Sequence, residues 1–163
     1  SIAAFERTLL SGNSPFDQWF YQKKNNAVGE TVIRGYSLFT SDRLNCIKCH
    51  NGFLFTDQSF TNNGLYVDYP DSGRIRLTGF DVDRAVFKVP SLRNVGLTAP
   101  YMHDGSLKSL DAVIDHYQTG GKAHPNKSIF LKSFMLSAQE RLELLAFLNS
   151  LTDLEFIKNP EFK

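Results

Sequence analysis

Both cysteines of this chain lie in one five-residue segment that also contains a histidine. Cys46, Cys49 and His50 occur in the sequence CIKCH, and the 163 residues contain no other cysteine. The C-x-x-C-H spacing is typical of c-type haem attachment. In such sites the thiols form thioethers with the haem vinyl groups, and the histidine is the proximal iron ligand. The motif therefore predicts one covalently bound haem c with His50 on its iron.

Two other chemistries are possible for such a motif, and both fit this chain less well. A structural zinc site needs four ligands, usually with a second Cys or His pair at fixed spacing. The remaining histidines, His103, His116 and His124, form no such pair. A thioredoxin-like redox pair requires a βαβ context, which the sequence does not show. Haem attachment is the favoured interpretation.

The ligand on the opposite side of the iron is the open question. A small cytochrome c commonly uses a methionine some tens of residues after the motif, which favours Met102. In the predicted helix SLDAVIDHYQ, however, Tyr117 shares an apolar face with Leu110, Val113 and Ile114. A tyrosine on such a face is more often a core residue than a ligand. The residues alone leave the choice open, and by chemistry the candidates are Met102, Met135, His103, His116, Tyr117 and His124.

Length and composition indicate one ordinary globular domain. Apolar residues make up 42% of the chain, charged residues 21%, and the formal net charge is +1. This balance excludes an electrostatic argument for nucleic acid or an anionic membrane as partner. No apolar run approaches the roughly 20 residues of a membrane span. The first ten residues do not have the pattern of a signal peptide, so we expect a processed or cut chain.

The elements predicted around the motif are mainly helical. Apolar periodicity, a capping box at Ser137 and Glu140, and glycine stops indicate the helices. Short alternating runs further on are compatible with a small β-hairpin. The pattern predicts an all-α, class I cytochrome c-like haem domain with a long irregular insertion. The predicted helices cover residues 3–12, 27–41, 109–118 and 137–151, and the alternating runs cover 52–60 and 74–83.

The chain resembles the C-terminal haem domain of bacterial dihaem cytochrome c peroxidases and MauG-type enzymes. The resemblance runs from Ile2 to Thr152. The segment FKVPSLRNVGLTAPYMHDGSLKSL is long enough to be specific, unlike the haem motif, which many unrelated cytochromes share. The other matching segments are NSPFDQWFY, RGYSLF, CIKCHNG and LLAFLNSLT.

The resemblance implies roles for several residues. The position that matches Tyr117 carries the distal ligand in that family, as methionine in the peroxidases and tyrosine in the MauG branch. We therefore expect Tyr117 on the iron, with Met102 as the fallback. The family also binds calcium through backbone oxygens at positions that match Thr98 and Pro100. Arg93 is expected to contact a haem propionate through a charge-assisted hydrogen bond.

The resemblance also implies how the chain is organised. Residues 1–25 would be a connecting segment from an N-terminal domain that carries a second haem, residues 26–157 the cytochrome c domain, and residues 158–163 a tail. The expected partners are that N-terminal domain, hydrogen peroxide at its haem, and an electron-transfer protein or protein substrate. A homodimer is compatible with the sequence. Attachment of haem c outside the cytoplasm implies a periplasmic location.

The expected function is storage and transfer of oxidising equivalents within a dihaem peroxidase or MauG-like oxidoreductase. An anionic tyrosine ligand favours ferric and higher oxidation states, whereas a methionine raises the potential and suits an electron carrier. A haem with both axial positions filled leaves no site for peroxide, so this half alone should be a poor peroxidase. The alternatives are a free-standing monohaem electron carrier with Met102 on the iron, and a metal-stabilised structural domain.

Overall fold

The computed structural model describes residues 2–162. Ser1 and Lys163, the outermost residues of the predicted connecting segment and tail, lie outside the described residues. None of the helices in the described range is long and apolar enough to cross a bilayer. The helices are α1 (Ile2–Glu6), α2 (Pro15–Phe20), α3 (Glu30–Thr40), α4 (Ile75–Thr78), α5 (Leu110–Gln118), α6 (Ala138–Ser150) and α7 (Leu154–Lys158). Single 3-10 turns cover Cys46–Lys48, Asp81–Asp83, Val95–Leu97 and Pro160–Phe162.

One small antiparallel sheet accompanies the helices, but of the predicted run 52–60 only Phe60 lies in a strand. Strand β1 (Phe60–Thr61) pairs with β2 (Phe87–Lys88). The predicted second strand at residues 74–83 is wrong, because α4 and a 3-10 turn occupy this stretch. Its apolar side chains do not alternate between a buried and an exposed face, since Leu77 is 90% exposed and Phe80 68%. The strand that pairs with β1 is instead β2, which follows residues 74–83 in the sequence.

The predicted helices around the haem motif are present, and besides α4 two further helices were not predicted. The helices at α3, α5 and α6 are confirmed, and the Ser137–Glu140 capping box is formed. The first helix is shorter than expected and ends at Glu6. Helix α2 was not predicted, and Ser14 and Asp17 form a second capping box at its start. The other unpredicted helix, α7, is capped by Asp153.

Helices α3 and α6 form the closest helix crossing, and Gly35 makes it possible. A Cβ atom at Gly35 would lie 1.9 Å from the Glu143 carbonyl oxygen and 2.9 Å from Cβ of Phe147. Arg34, the neighbour of this glycine, pairs with Glu143 through Nε and Oε1 at 2.7 Å. The two backbones therefore meet directly, and an ion pair flanks the contact.

Aromatic side chains from four parts of the chain meet beside this crossing. The Phe147 ring of α6 lies 4.9 Å from the Phe39 ring of α3 and 5.4 Å from the Phe16 ring of α2. Phe55 follows the haem motif and contacts Phe16 at 5.4 Å. The Trp19 ring packs edge-on against Phe16, with the ring centres 5.8 Å apart. The core thus joins α2, α3, α6 and the haem-motif loop.

The segment before α2 is fastened to the C-terminal helices by a buried carboxylate. Asp153 is 2% exposed, and its Oδ2 accepts hydrogen bonds from the backbone N–H groups of Gly12 (3.0 Å) and Asn13 (2.8 Å). Burial alone would raise its pKa, but hydrogen bonds from Phe156, Asn13, Gly12 and Ser11 outweigh it and lower the pKa. Residues 11–13 therefore pack on this domain. The predicted boundary at residue 25 stays a prediction.

Replacing Gly35 by alanine should destabilise the protein strongly. The new methyl group would meet the backbone of α6, which cannot rotate away as a side chain can. We expect a loss of about 3 kcal/mol in the free energy of unfolding, at the upper end of overpacking effects. Chemical denaturation would measure it. Gly29→Ala is the matched control, since a Cβ there meets nothing within 4 Å. Equal stabilities of the two variants would contradict the close crossing.

Candidate haem site

A cavity of about 420 Å³ lies next to the α3–α6 crossing and receives the haem motif. Its walls are largely apolar and come from α3, α5, α6 and the loops between them. Cofactor pockets typically measure about 300–1,000 Å³, so the volume is of the right order. Among the predicted site residues and ligand candidates, those that line the cavity are Cys46, Cys49, His50, Thr98, Pro100, Met102, His103 and Tyr117.

The motif reaches the cavity through a tight turn after α3. Asn45 adopts a left-handed conformation with φ of 58°, which asparagine tolerates better than most residues. The 3-10 turn Cys46–Lys48 follows, and the N–H groups of Cys49 and His50 both donate to the Cys46 carbonyl. This compact turn places the two thiols and the imidazole along one cavity.

The two cysteines are chemically suited to thioether formation. Cys46 and Cys49 are free thiols and form no disulfide with each other. Burial raises the pKa of Cys46 to about 12 and also raises the pKa of Cys49. Both are therefore neutral thiols at the wall of the cavity, available for addition to the haem vinyl groups.

His50 is held in the form that an iron ligand requires. Its Nδ1 lies 3.1 Å from the Phe55 carbonyl oxygen, so we assign Nδ1–H as the donor. Burial lowers the pKa of His50, although hydrogen bonds with the Phe55 and Pro90 backbone oppose this effect. The ring is neutral, and the lone pair of Nε2 is left for a metal. A hydrogen bond at the other nitrogen is the usual support of a ligating histidine.

The two candidate distal ligands lie at the same cavity and share one neighbour. Burial raises the pKa of Tyr117 to about 12, and a hydrogen bond with the Asn63 side chain opposes this rise. The Asn63 amide also lies 3.2 Å from the Met102 sulfur. Placement alone does not choose between Tyr117 and Met102. Asn63 was not predicted, because its contact with Met102 spans 39 residues of sequence.

The other sequence candidates for the distal position are less well placed. His116, His124 and Met135 do not line the cavity among the described residues. Met135 is 79% exposed, and Nε2 of His116 bonds the Asn63 carbonyl at 2.9 Å. His103 lines the cavity, but its ring stacks on Phe87 at 3.8 Å. Met102 and Tyr117 therefore remain the two candidates for the distal iron ligand.

The expected contact between Arg93 and a haem propionate stays a prediction, and the structure shows the protein contacts of Arg93. Arg93 is not part of the cavity wall. Its guanidinium bonds the Phe53 carbonyl through Nε (2.9 Å) and Nη2 (2.6 Å), and its Nη1 contacts Asp17. These bonds use three of the five N–H donors of the guanidinium.

The calcium expectation concerns Thr98 and Pro100, and the structure places both at the cavity in exposed positions. Their backbone oxygens are suitable hard ligands. The described residues contain no group of three or more His, Cys, Asp or Glu side chains that fits a metal ion. Calcium therefore stays a prediction.

Comparison with known proteins decides the family. No protein-family model matches the chain. It is 44% identical over 153 residues to the methylamine utilization protein MauG of Methylorubrum extorquens, and 36% identical over 167 residues to the cytochrome c551 peroxidase of Nitrosomonas europaea. These matches cover 93% and 100% of this chain. The chain belongs to the dihaem cytochrome c peroxidase and MauG family.

A solved structure agrees with this assignment. A MauG-like protein associated with microbial copper homeostasis superposes with a TM-score of 0.91 at 36% identity, over 99% of this chain and 58% of that chain. The chain spans about half the length of the curated relatives it matches, 42% of MauG and 45% of the peroxidase. Family membership implies a haem c cofactor. Two unpaired thiols, a neutral histidine and an apolar cavity of this size fit that group.

Removal of the thiols should release the haem. In Cys46→Ser/Cys49→Ser both thioethers are lost, and since the chain has no other cysteine, nothing else can form them. We expect no haem on the polypeptide after a denaturing gel. Each single variant should keep its haem through one thioether. In the reduced pyridine complex, its absorption should shift towards that of a haem with one free vinyl group. Haem that stays on the double variant through denaturation would contradict the attachment site.

Proposed function

We propose that the chain is the C-terminal, class I cytochrome c-like haem domain of a dihaem peroxidase or MauG-like oxidoreductase. In this proposal His50 and Tyr117 are the axial ligands, and the domain stores and transfers oxidising equivalents. The observation that carries it is the Tyr117 phenol at the wall of the cavity that also receives the two thiols and the imidazole. Family membership supports the same function.

Helix α5 gives Tyr117 a rigid position at the cavity. Ser109 caps the helix by accepting the N–H of Ala112, and Leu110 and Ile114 anchor it in the core. Leu110, Ile114 and Tyr117 lie on one helical face, and all three line the cavity. A ligand on a helix is positioned more sharply than one on a loop. Met102, in contrast, lies in a loop with φ of 73°.

Asn63 favours the ionised form of Tyr117. Hydrogen bonding with its side chain lowers the tyrosine pKa, against the larger rise that burial causes. Without a bound metal cation, burial keeps the Tyr117 phenol protonated. A bound metal cation removes such protons from its ligands. Asn63 would then remain as a donor to the oxygen that holds the metal.

The chemistry of the site would follow from these ligands. A c-type haem with imidazole and phenolate ligands supplies a one-electron centre whose oxidised forms are favoured. The chain's own residues orient both ligands and exclude water through apolar walls that include Leu144 and Leu148. With both axial positions filled, the domain offers peroxide no binding position. Peroxide activation would belong to the haem of a separate N-terminal domain.

The proposed partners follow from assigning peroxide activation to one domain and electron transfer to the other. They are the N-terminal haem domain, which would receive peroxide, and an electron-transfer protein or protein substrate that exchanges electrons with this haem. We place the protein in the periplasm, because haem c is attached outside the cytoplasm in bacteria. The chain's span of about half of its curated relatives accords with a two-domain enzyme.

A second candidate function is supported by Met102. Its sulfur lines the same cavity, and Asn63 contacts it. A His50/Met102 pair would give a higher potential and suit a free-standing electron carrier. The two functions differ in the ligand and in the number of haems per polypeptide.

Substitution of each distal candidate should separate the two ligand sets. Tyr117→Phe should change the optical and EPR spectra of the ferric protein to a five-coordinate or water-bound form, because phenylalanine cannot bind iron. Met102→Leu should leave the ligand class unchanged. Tyr101→Phe is the matched control, since Tyr101 also lines the cavity but donates its hydroxyl to the Val95 carbonyl at 2.8 Å. An unchanged Tyr117→Phe spectrum with a changed Met102→Leu spectrum would support the carrier instead.

Haem count and peroxide turnover should separate an enzyme from a carrier. We expect two haems per native polypeptide by mass and pyridine assay, and rapid peroxide turnover by that polypeptide. The 163-residue chain loaded with haem should turn over peroxide much more slowly, because its iron has no free position. One haem per native polypeptide, or equal turnover by the two proteins, would contradict the proposal.

A further inference from the structure

The hydrogen bond that orients His50 depends on an unusual backbone conformation. Its acceptor is the Phe55 carbonyl, at 3.1 Å from Nδ1. Phe55 has φ of 50°, a left-handed conformation that a bulky non-glycine residue rarely adopts. Such a conformation persists only where surrounding contacts enforce it. The contacts on this loop should therefore control the position of the acceptor.

Two side chains from another segment hold the residues just before Phe55. Arg93 donates to the Phe53 carbonyl through Nε (2.9 Å) and Nη2 (2.6 Å), and its guanidinium lies 4.2 Å from the centre of the Phe53 ring. Ser91 donates its hydroxyl to the Leu54 carbonyl at 2.6 Å. Two consecutive carbonyls of the loop are thus tied to the 91–93 segment.

Arg93 is itself anchored in α2. Its Nη1 contacts Oδ2 of Asp17, and the two side chains are only 6% and 1% exposed. The same Oδ2 accepts the backbone N–H of Ser14 at 2.9 Å and its hydroxyl at 2.7 Å. Removing one partner of a buried pair leaves an uncompensated charge, so the pair resists separation. The Arg93 guanidinium is therefore held by Asp17 and by the Phe53 carbonyl together.

We propose that Arg93 is a positioning residue for the proximal ligand. Anchored on Asp17, it holds Phe53 so that the Phe55 carbonyl stays within hydrogen-bonding reach of His50. The inference rests on the proposed function, because it takes His50 as the iron ligand. Asp17 belongs to the predicted connecting segment, so the Asp17–Arg93 pair links that segment to the proximal side of the haem.

The expected consequence is a change in reduction potential. A hydrogen bond from Nδ1–H makes the imidazole more electron-donating, which favours ferric iron. Loosening the loop lengthens this bond, and the potential should rise. A purely structural ion pair would affect stability without moving the potential.

The decisive variant is Arg93→Lys in the haem-loaded protein, measured by redox titration. Lysine keeps a positive charge near Asp17, but it lacks the two parallel N–H groups with which the guanidinium binds the Phe53 carbonyl. We expect covalent haem, an unchanged ligand class by EPR, and a more positive midpoint potential. Arg34→Lys is the control, since Arg34 also forms an ion pair, with Glu143, but lies between α3 and α6. Its potential should equal that of the parent.

Ser91→Ala provides an independent measurement if Arg93→Lys does not fold. It removes the bond to the Leu54 carbonyl and the bond that the hydroxyl accepts from the Arg93 backbone N–H at 3.1 Å, but it leaves the guanidinium on Phe53, so a smaller shift in the same direction is expected. Potentials equal to the parent in every folded variant, with His50 still on the iron, would overturn the positioning role alone. A His50→Gln variant with the parent's ferric spectrum would instead overturn the proposed function, because His50 would then not be the ligand.

Discussion

The haem cavity depends on one backbone contact between α3 and α6. With no side chain at Gly35, the helices approach until the Glu143 carbonyl fills the space that a Cβ would need. This crossing places Phe39 of α3 and Leu144 and Leu148 of α6 in the cavity wall. The haem motif begins shortly after α3 ends, so the same contact also sets where the thiols lie.

Hydrogen bonds within the chain act on the proton of each proposed iron ligand. On one side, the Phe55 carbonyl accepts Nδ1–H of His50 and leaves Nε2 free. On the other, the Asn63 amide opposes the rise in the Tyr117 pKa and favours the phenolate. Both side chains are half-buried and neutral without metal, which suits a site that binds iron by releasing a proton from the phenol.

Local signals in the sequence were sufficient for part of this arrangement. The capping box at Ser137 and the apolar face of α5 predicted two helices and placed Tyr117 towards the core. The start of α2 carries a similar signal at Ser14 and Asp17, although no helix was predicted there. The contacts of Arg93 could not be predicted from local sequence patterns, because its partners Asp17 and Phe53 lie 76 and 40 residues away in sequence. Asn63 was missed for the same reason.

The central claim is that an oxygen anion from Tyr117 completes the coordination of an iron held by His50. Resonance Raman spectroscopy of the ferric, haem-loaded protein tests it most directly, with tyrosine ring-deuterated in a second preparation. The account predicts phenolate vibrations, enhanced with the iron–oxygen charge-transfer band, that shift on deuteration. Their absence, together with the near-infrared charge-transfer band of a methionine-ligated ferric haem, would contradict it.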